Sequence, residues 1–176
     1  MKNTILTIFA TLLLHSTLMA QFADPALGGA DYAPDPFTVG STSTLTISWS
    51  NSGSSTIPIG SVEVVVSFPN AFYETDGVTP PTGSAASAFD WVHQSTAGGD
   101  TWVGTLNTLV AAFGGGEIIF TVTGVAPTSA PETTTIFTQP IADFASFNDA
   151  PGNNNLTPAA EVIDIACSVD AGILSY

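Results

Sequence analysis

His93 is the one histidine beyond residue 20, and it sits between Asp90 and Asp100. An imidazole flanked by carboxylates, in a chain rich in serine, has the ingredients of a Ser-His-Asp relay. Asp90 and Asp100 by themselves could serve glycoside hydrolysis if held about 5–9.5 Å apart. Neither chemistry has its usual company. There is no G-x-S-x-G elbow to present a serine. No lysine or arginine follows residue 20, so no basic group can assist an oxyanion. One histidine and one cysteine, Cys167, are too few for a zinc site. The plainer reading makes His93 a strand residue beside Trp91.

Two other groups of side chains could bind rather than react. Asp143, Asp149, Asn153 and Asn155 supply hard oxygens of the kind Ca²⁺ collects, six to eight at a time. Their spacing is not that of an EF-hand, and the same side chains serve Asx turns that set up a final strand. Trp91 and Trp102, with Phe89, could stack on sugar rings through their apolar faces, or could fill the space between two sheets.

The surroundings narrow the choice. Lys2 is the only cationic side chain other than histidine, against 15 carboxylates, and the formal charge is −14. Without arginine or lysine there is no bidentate grip on phosphate and no Schiff base. An unrelieved negative field repels nucleic acid and anionic lipid and attracts cations. Charged residues are only 9% of the chain while 44% are hydrophobic, with eleven Phe and three Trp. That composition can build a core, and it argues against disorder.

Residues 1–20 read as a secretory signal: Met1-Lys2-Asn3, an apolar run from Ile5 to Leu14, then a small residue at Ala20. The run is too short to span a bilayer. Cleavage there would leave Gln21 first and a secreted or surface-attached product. Cys167 would be unpaired within the chain, so it is either a small buried residue or a link to another molecule.

The elements that must position these groups are strands. Leu45, Ile47 and Trp49 alternate with Thr44, Thr46 and Ser48, a period of two. Asn51-Ser52-Gly53 is turn chemistry. Val62, Val64, Val66 and Phe68 give the clearest strand, ended by Pro69. Residues 70–88, rich in Gly, Pro, Ser and Ala, predict a loop with at most one short strand. Phe89 to His93 and Thr101 to Leu106 form a hairpin around Gly98-Gly99. Glu117 to Val122, Thr133 to Phe137 and Ala160 to Ile165 complete the set. Residues 21–40 predict an extended lead-in, 41–165 the domain, and 166–176 a linker or the start of a further module. No helical periodicity persists beyond the signal. Short strands with turns between them mean an all-β sandwich or barrel; the uneven strand lengths and the long 70–88 stretch favour the antiparallel sandwich.

The run Leu45 to Gly53, the strand Val62 to Pro69, the hairpin opened by Trp91, the stretch Glu117 to Val122 and the Asn148-Asp149-Ala150-Pro151-Gly152-Asn153-Asn154 loop before a last strand form a recognisable layout. It resembles the immunoglobulin-like conserved-repeat modules of bacterial surface and adhesion proteins. The resemblance covers roughly Thr42 to Ile165. It departs from that pattern in the long 70–88 stretch, in the single module and in having no visible anchor. It implies a Greek-key, immunoglobulin-like sandwich with a structural, spacer or adhesive role and no catalytic residues. The expected partners are other surface modules or extracellular polysaccharide, with self-association through free edge strands. The alternative is a carbohydrate- or calcium-dependent binding module of a larger surface protein.

Overall fold

The computed structural model describes residues 22–96, 99–141 and 151–164. In chain order the strands are β1 (Pro25–Ala33), β2 (Phe37–Thr38), β3 (Thr42–Asn51), β4 (Val62–Phe68), β5 (Tyr73–Glu74), β6 (Phe89–Thr96) and β7 (Gly99–Leu106). They continue with β8 (Gly115–Gly124), β9 (Glu132–Thr133), β10 (Thr135–Pro140), β11 (Asn155–Leu156), β12 (Ala159–Ala160) and β13 (Val162–Ile163). Helical structure among the described residues is limited to two single 3₁₀ turns, Ala86–Ala88 and Pro151–Asn153. No helix among them is long and apolar enough to cross a membrane.

Two antiparallel sheets face each other, one ordered β1-β3-β8-β5 and the other β11-β10-β4-β7-β6. Small pairs, β12-β9 and the parallel β13-β2, close the ends. The alternation read from the sequence decides which residues meet. Leu45, Ile47 and Trp49 of β3 and Ile118, Phe120 and Val122 of β8 are buried from one side. Val62, Val64, Val66 and Phe68 of β4, with Trp102 and Leu106 of β7, are buried from the other. A hydrogen bond crosses between the sheets, from Trp49 Nε1 to Thr138 Oγ1 at 3.2 Å. Thr138 Oγ1 in turn donates to the Glu63 carbonyl at 3.2 Å.

The predicted lead-in is largely strand β1, paired with β3 from Pro25–Asn51 to Ala33–Thr44. Its Ala26, Leu27 and Tyr32 are buried. A register shift between Leu27 and Gly29 breaks the alternation, which hides the strand from a period-two reading. The last strand is interrupted: Ala159–Ala160 and Val162–Ile163 pair with different neighbours. Within 70–88 lie β5 and the first 3₁₀ turn, and Ala85 N donates to the Glu117 carbonyl at 2.9 Å, so this stretch covers part of the β8 edge.

Tyr32 and Tyr73 meet edge to face, with ring centroids 5.6 Å apart. Their hydroxyls converge on Thr134 Oγ1, at 2.6 and 3.3 Å, and Tyr73 also donates to the Glu132 carbonyl at 2.7 Å. Burial pushes both phenols above the ordinary tyrosine range. Folding therefore favours the neutral phenols. That contribution is intact below the free tyrosine pKa near 10 and is lost as pH rises above it. We expect the melting temperature to fall steeply between about pH 9.5 and 11.5, and Tyr73→Phe to flatten the slope. An unchanged slope in that variant would contradict the assignment.

Candidate functional site

The β6-β7 hairpin brings His93 beside Trp102, ring centroids 5.0 Å apart, and sets Asp100 within reach. His93 Nε2 lies 2.5 Å from Asp100 Oδ1. Asp100 Oδ2 accepts from Thr75 N at 2.6 Å and from Thr75 Oγ1 at 2.7 Å. Trp102 Nε1 donates to Thr75 Oγ1 at 2.8 Å. The far side of the imidazole is closed by Gly77, where a Cβ would stand 2.8 Å from His93 Cε1 and 3.0 Å from Nδ1. Gly77 has φ +67°, a conformation glycine adopts without strain.

The Asp100 carboxylate, the Thr75 hydroxyl and His93 Nε2 are engaged with one another and tie the 75–79 turn to the hairpin. Asp100 is 5% exposed, with both oxygens engaged. Asp76, at the exposed tip, accepts from Val78 N, Thr79 N and Thr79 Oγ1. Those bonds, the Thr79 hydroxyl first, hold its carboxyl below the usual range. A cavity of about 340 Å³ lies alongside, lined by Thr75, Asp76, Thr79, Pro81, Ile119 and Thr121 among others. Neither His93 nor Asp100 lines it. Asp90 faces away from the cluster and accepts from Asn107 Nδ2 at 2.7 Å. The structure thus joins His93 to Asp100 and leaves Asp90 apart.

Trp102 is 2% exposed, its ring packed toward Phe120 and His93. Trp91 is half-buried on Phe89 and Phe120, with Nε1 donating to the Ala86 carbonyl at 2.9 Å. Gly104 makes room for it: a Cβ there would be 2.8 Å from the indole. Stacking of a sugar on Trp102 would need its buried ring to leave this position. Of the four candidate calcium ligands, Asp143 and Asp149 lie outside the described residues. Asn153 Nδ2 donates to Asp24 Oδ2 at 3.3 Å, and Asn155 is exposed in β11. Among the described residues no group of three or more His, Cys, Asp or Glu could hold a metal ion. Cys167 also lies outside them.

Sequence reasoning passed over two hubs. Thr75 carried no signal, sitting in a stretch read as loop. Asn51 was visible only as a turn former, yet its side chain is fully buried. Its Oδ1 accepts from Asp24 N and Gly53 N, each 3.1 Å, and its Nδ2 donates to the carbonyls of Ser55 at 2.7 Å and Ala111 at 3.0 Å.

The outer face of the five-stranded sheet carries a pattern of its own. Val92, Val103, Val65 and Phe137 stand in direct register across β6, β7, β4 and β10. One step along the strands is a row of Asp90, Thr105, Glu63 and Gln139. One step the other way is neutral: Gln94, Thr101, Ser67 and Thr135. The opposite layer differs, presenting Thr42, Thr44, Thr46, Ser48 and Ser50 along the outer side of β3.

No family model and no curated protein matches this chain. Solved structures do. A cohesin module from a family 33 glycoside hydrolase of Clostridium perfringens aligns with a TM-score of 0.51 at 9% identity, over 82% of this chain and 98% of that one. A CBM3 module of Hungateiclostridium clariflavum aligns with a TM-score of 0.38 at 8% identity, over 65% of this chain and 91% of that one. At this identity the likeness to the cohesin module is a likeness of fold: this chain is a β-sandwich built on a similar plan.

Proposed function

We infer that this chain is a non-catalytic structural or adhesive module of the bacterial surface, an immunoglobulin-like unit exported by its N-terminal signal. One observation carries the reading: His93 and Asp100, the strongest catalytic candidates, are spent in clamping a turn and do not line the neighbouring cavity. The sandwich likeness to a cohesin module is consistent with a binding or assembly role. So is the β6 edge. Asn107 N donates to the Ala88 carbonyl at 2.8 Å, which fixes the alternation of the ladder. Trp91, His93 and Ser95 then turn their backbone N–H and C=O groups away from β7, while the Phe89 N–H is taken by the Ala86 carbonyl. An edge of that kind accepts an added strand.

The test is turnover. The purified chain, offered p-nitrophenyl esters, p-nitrophenyl glycosides and a casein substrate, is expected to show no rate above the buffer background. A rate that disappears in His93→Gln, with folding retained by circular dichroism, would overturn the reading.

A further inference from the structure

We propose that the outer face of the five-stranded sheet docks a protein segment that presents an apolar ridge with Lys or Arg along one flank. This rests on the non-catalytic reading above and assigns its partner's chemistry. Sheet strands lie about 4.8 Å apart, so the row Val92–Val103–Val65–Phe137 is about 14 Å long. It begins open, with Val92 59% exposed at the edge. Val103 and Phe137 are half-buried, and Val65 is 8% exposed yet lies outside the inter-sheet core. The sandwich does not require an apolar outer row: across β1, β3 and β8 of the other layer the outer rows read Asp31–Thr46–Ile119 and Gly29–Ser48–Glu117.

Charge selects the occupant. Glu63 and Asp90 stand in one row, two strands apart, or about 10 Å. Both are held by amides: Gln139 Nε2 donates to Glu63 Oε1 at 2.5 Å and Asn107 Nδ2 to Asp90 Oδ1. No Lys or Arg follows residue 20, so the chain brings no cation to this flank. A second copy would bring the same excess of carboxylates and no countercharge. A helix rises about 10.5 Å in seven residues. Basic side chains at i and i+7 would therefore meet both carboxylates while the intervening apolar residues lie on the valine row.

The probes are three helical peptides of about 18 residues. One has a Leu stripe flanked by Lys at i and i+7, one has the same stripe flanked by Glu, and one keeps the Lys residues with Ser in place of Leu. Each is titrated into the ¹⁵N-labelled chain and followed by amide shifts. The Leu/Lys peptide is expected to shift β4, β6, β7 and β10, and the other two to leave that face unmoved. Affinity is expected to drop roughly tenfold for Val92→Thr with Val103→Thr, and severalfold for Glu63→Gln with Asp90→Asn or at raised salt. Absence of binding, shifts centred elsewhere, equal binding of the Leu/Glu peptide, or dimerisation through this face at matched salt would each overturn the proposal. The turnover test is independent of all of these, so a missing docking surface and a missed enzyme would be told apart.

Discussion

Asp100→Ala is expected to destabilise the chain by about 3 kcal/mol, read as a lower urea midpoint at unchanged m-value. The substitution orphans Thr75 N and Oγ1 and strips the partner from His93 Nε2. It also loosens the Thr75 hydroxyl that receives Trp102 Nε1. Asp100→Asn is the informative control. Its carbonyl oxygen can still accept from Thr75, and its amide can donate to a neutral His93 Nε2, so about 1 kcal/mol is expected. The two substitutions separate loss of geometry from loss of charge. Equal effects of both would show that charge, rather than the hydrogen-bond pattern, holds the turn. His93→Gln combined with Asp100→Ala should cost less than the sum of the single effects, because the two side chains share one bond.

Asn51→Ala is expected to cost about 3 kcal/mol, with a fall in melting temperature of roughly 6–12 °C. Backbone groups from three segments lose a partner at once: Asp24 N, Gly53 N, and the carbonyls of Ser55, Val110 and Ala111. Burial keeps water from replacing the amide, so the desolvation cost is not recovered. Asn51→Asp keeps the acceptor but turns a buried, unpaired carboxylate oxygen onto the Ser55 and Ala111 carbonyls, and is expected to cost at least as much as Asn51→Ala above neutral pH. Faster amide exchange should appear first at Asp24 and in the 107–114 loop. Protection unchanged in those segments would show that Asn51 fills space without organising them.

The fold was legible wherever one side of a strand faces the core and the other faces water. Leu45-Ile47-Trp49 and Val62-Val64-Val66-Phe68 announce their buried faces directly, because the period of the pleat is written in their spacing. Strand β1 was not legible in that way. Its irregular register and its glycines scramble the alternation, although Leu27 and Tyr32 are as buried as the rest. The aromatic pair Trp91 and Trp102 was visible, but its direction was not: residue type alone does not say which side of a hairpin faces the core. Thr75 and Asn51 were hidden for another reason. Their roles depend on residues 25 to 60 positions away, and no local spacing carries that information. The apolar row on the outer sheet face is likewise a property of register between four strands, each contributing a single residue that looks ordinary in its own segment.

Among the described strands of the two main sheets, only β6 and β7 are joined by a tight hairpin; β3 leads to β4, β4 to β5 and β7 to β8 by passing from one layer to the other. Such interlacing delays assembly, since distant loops must close before any layer is complete. Folding on a millisecond-to-second scale follows, slow beside local helix formation. A polypeptide that interlaces its layers late stays threadable early, which would suit the export proposed above.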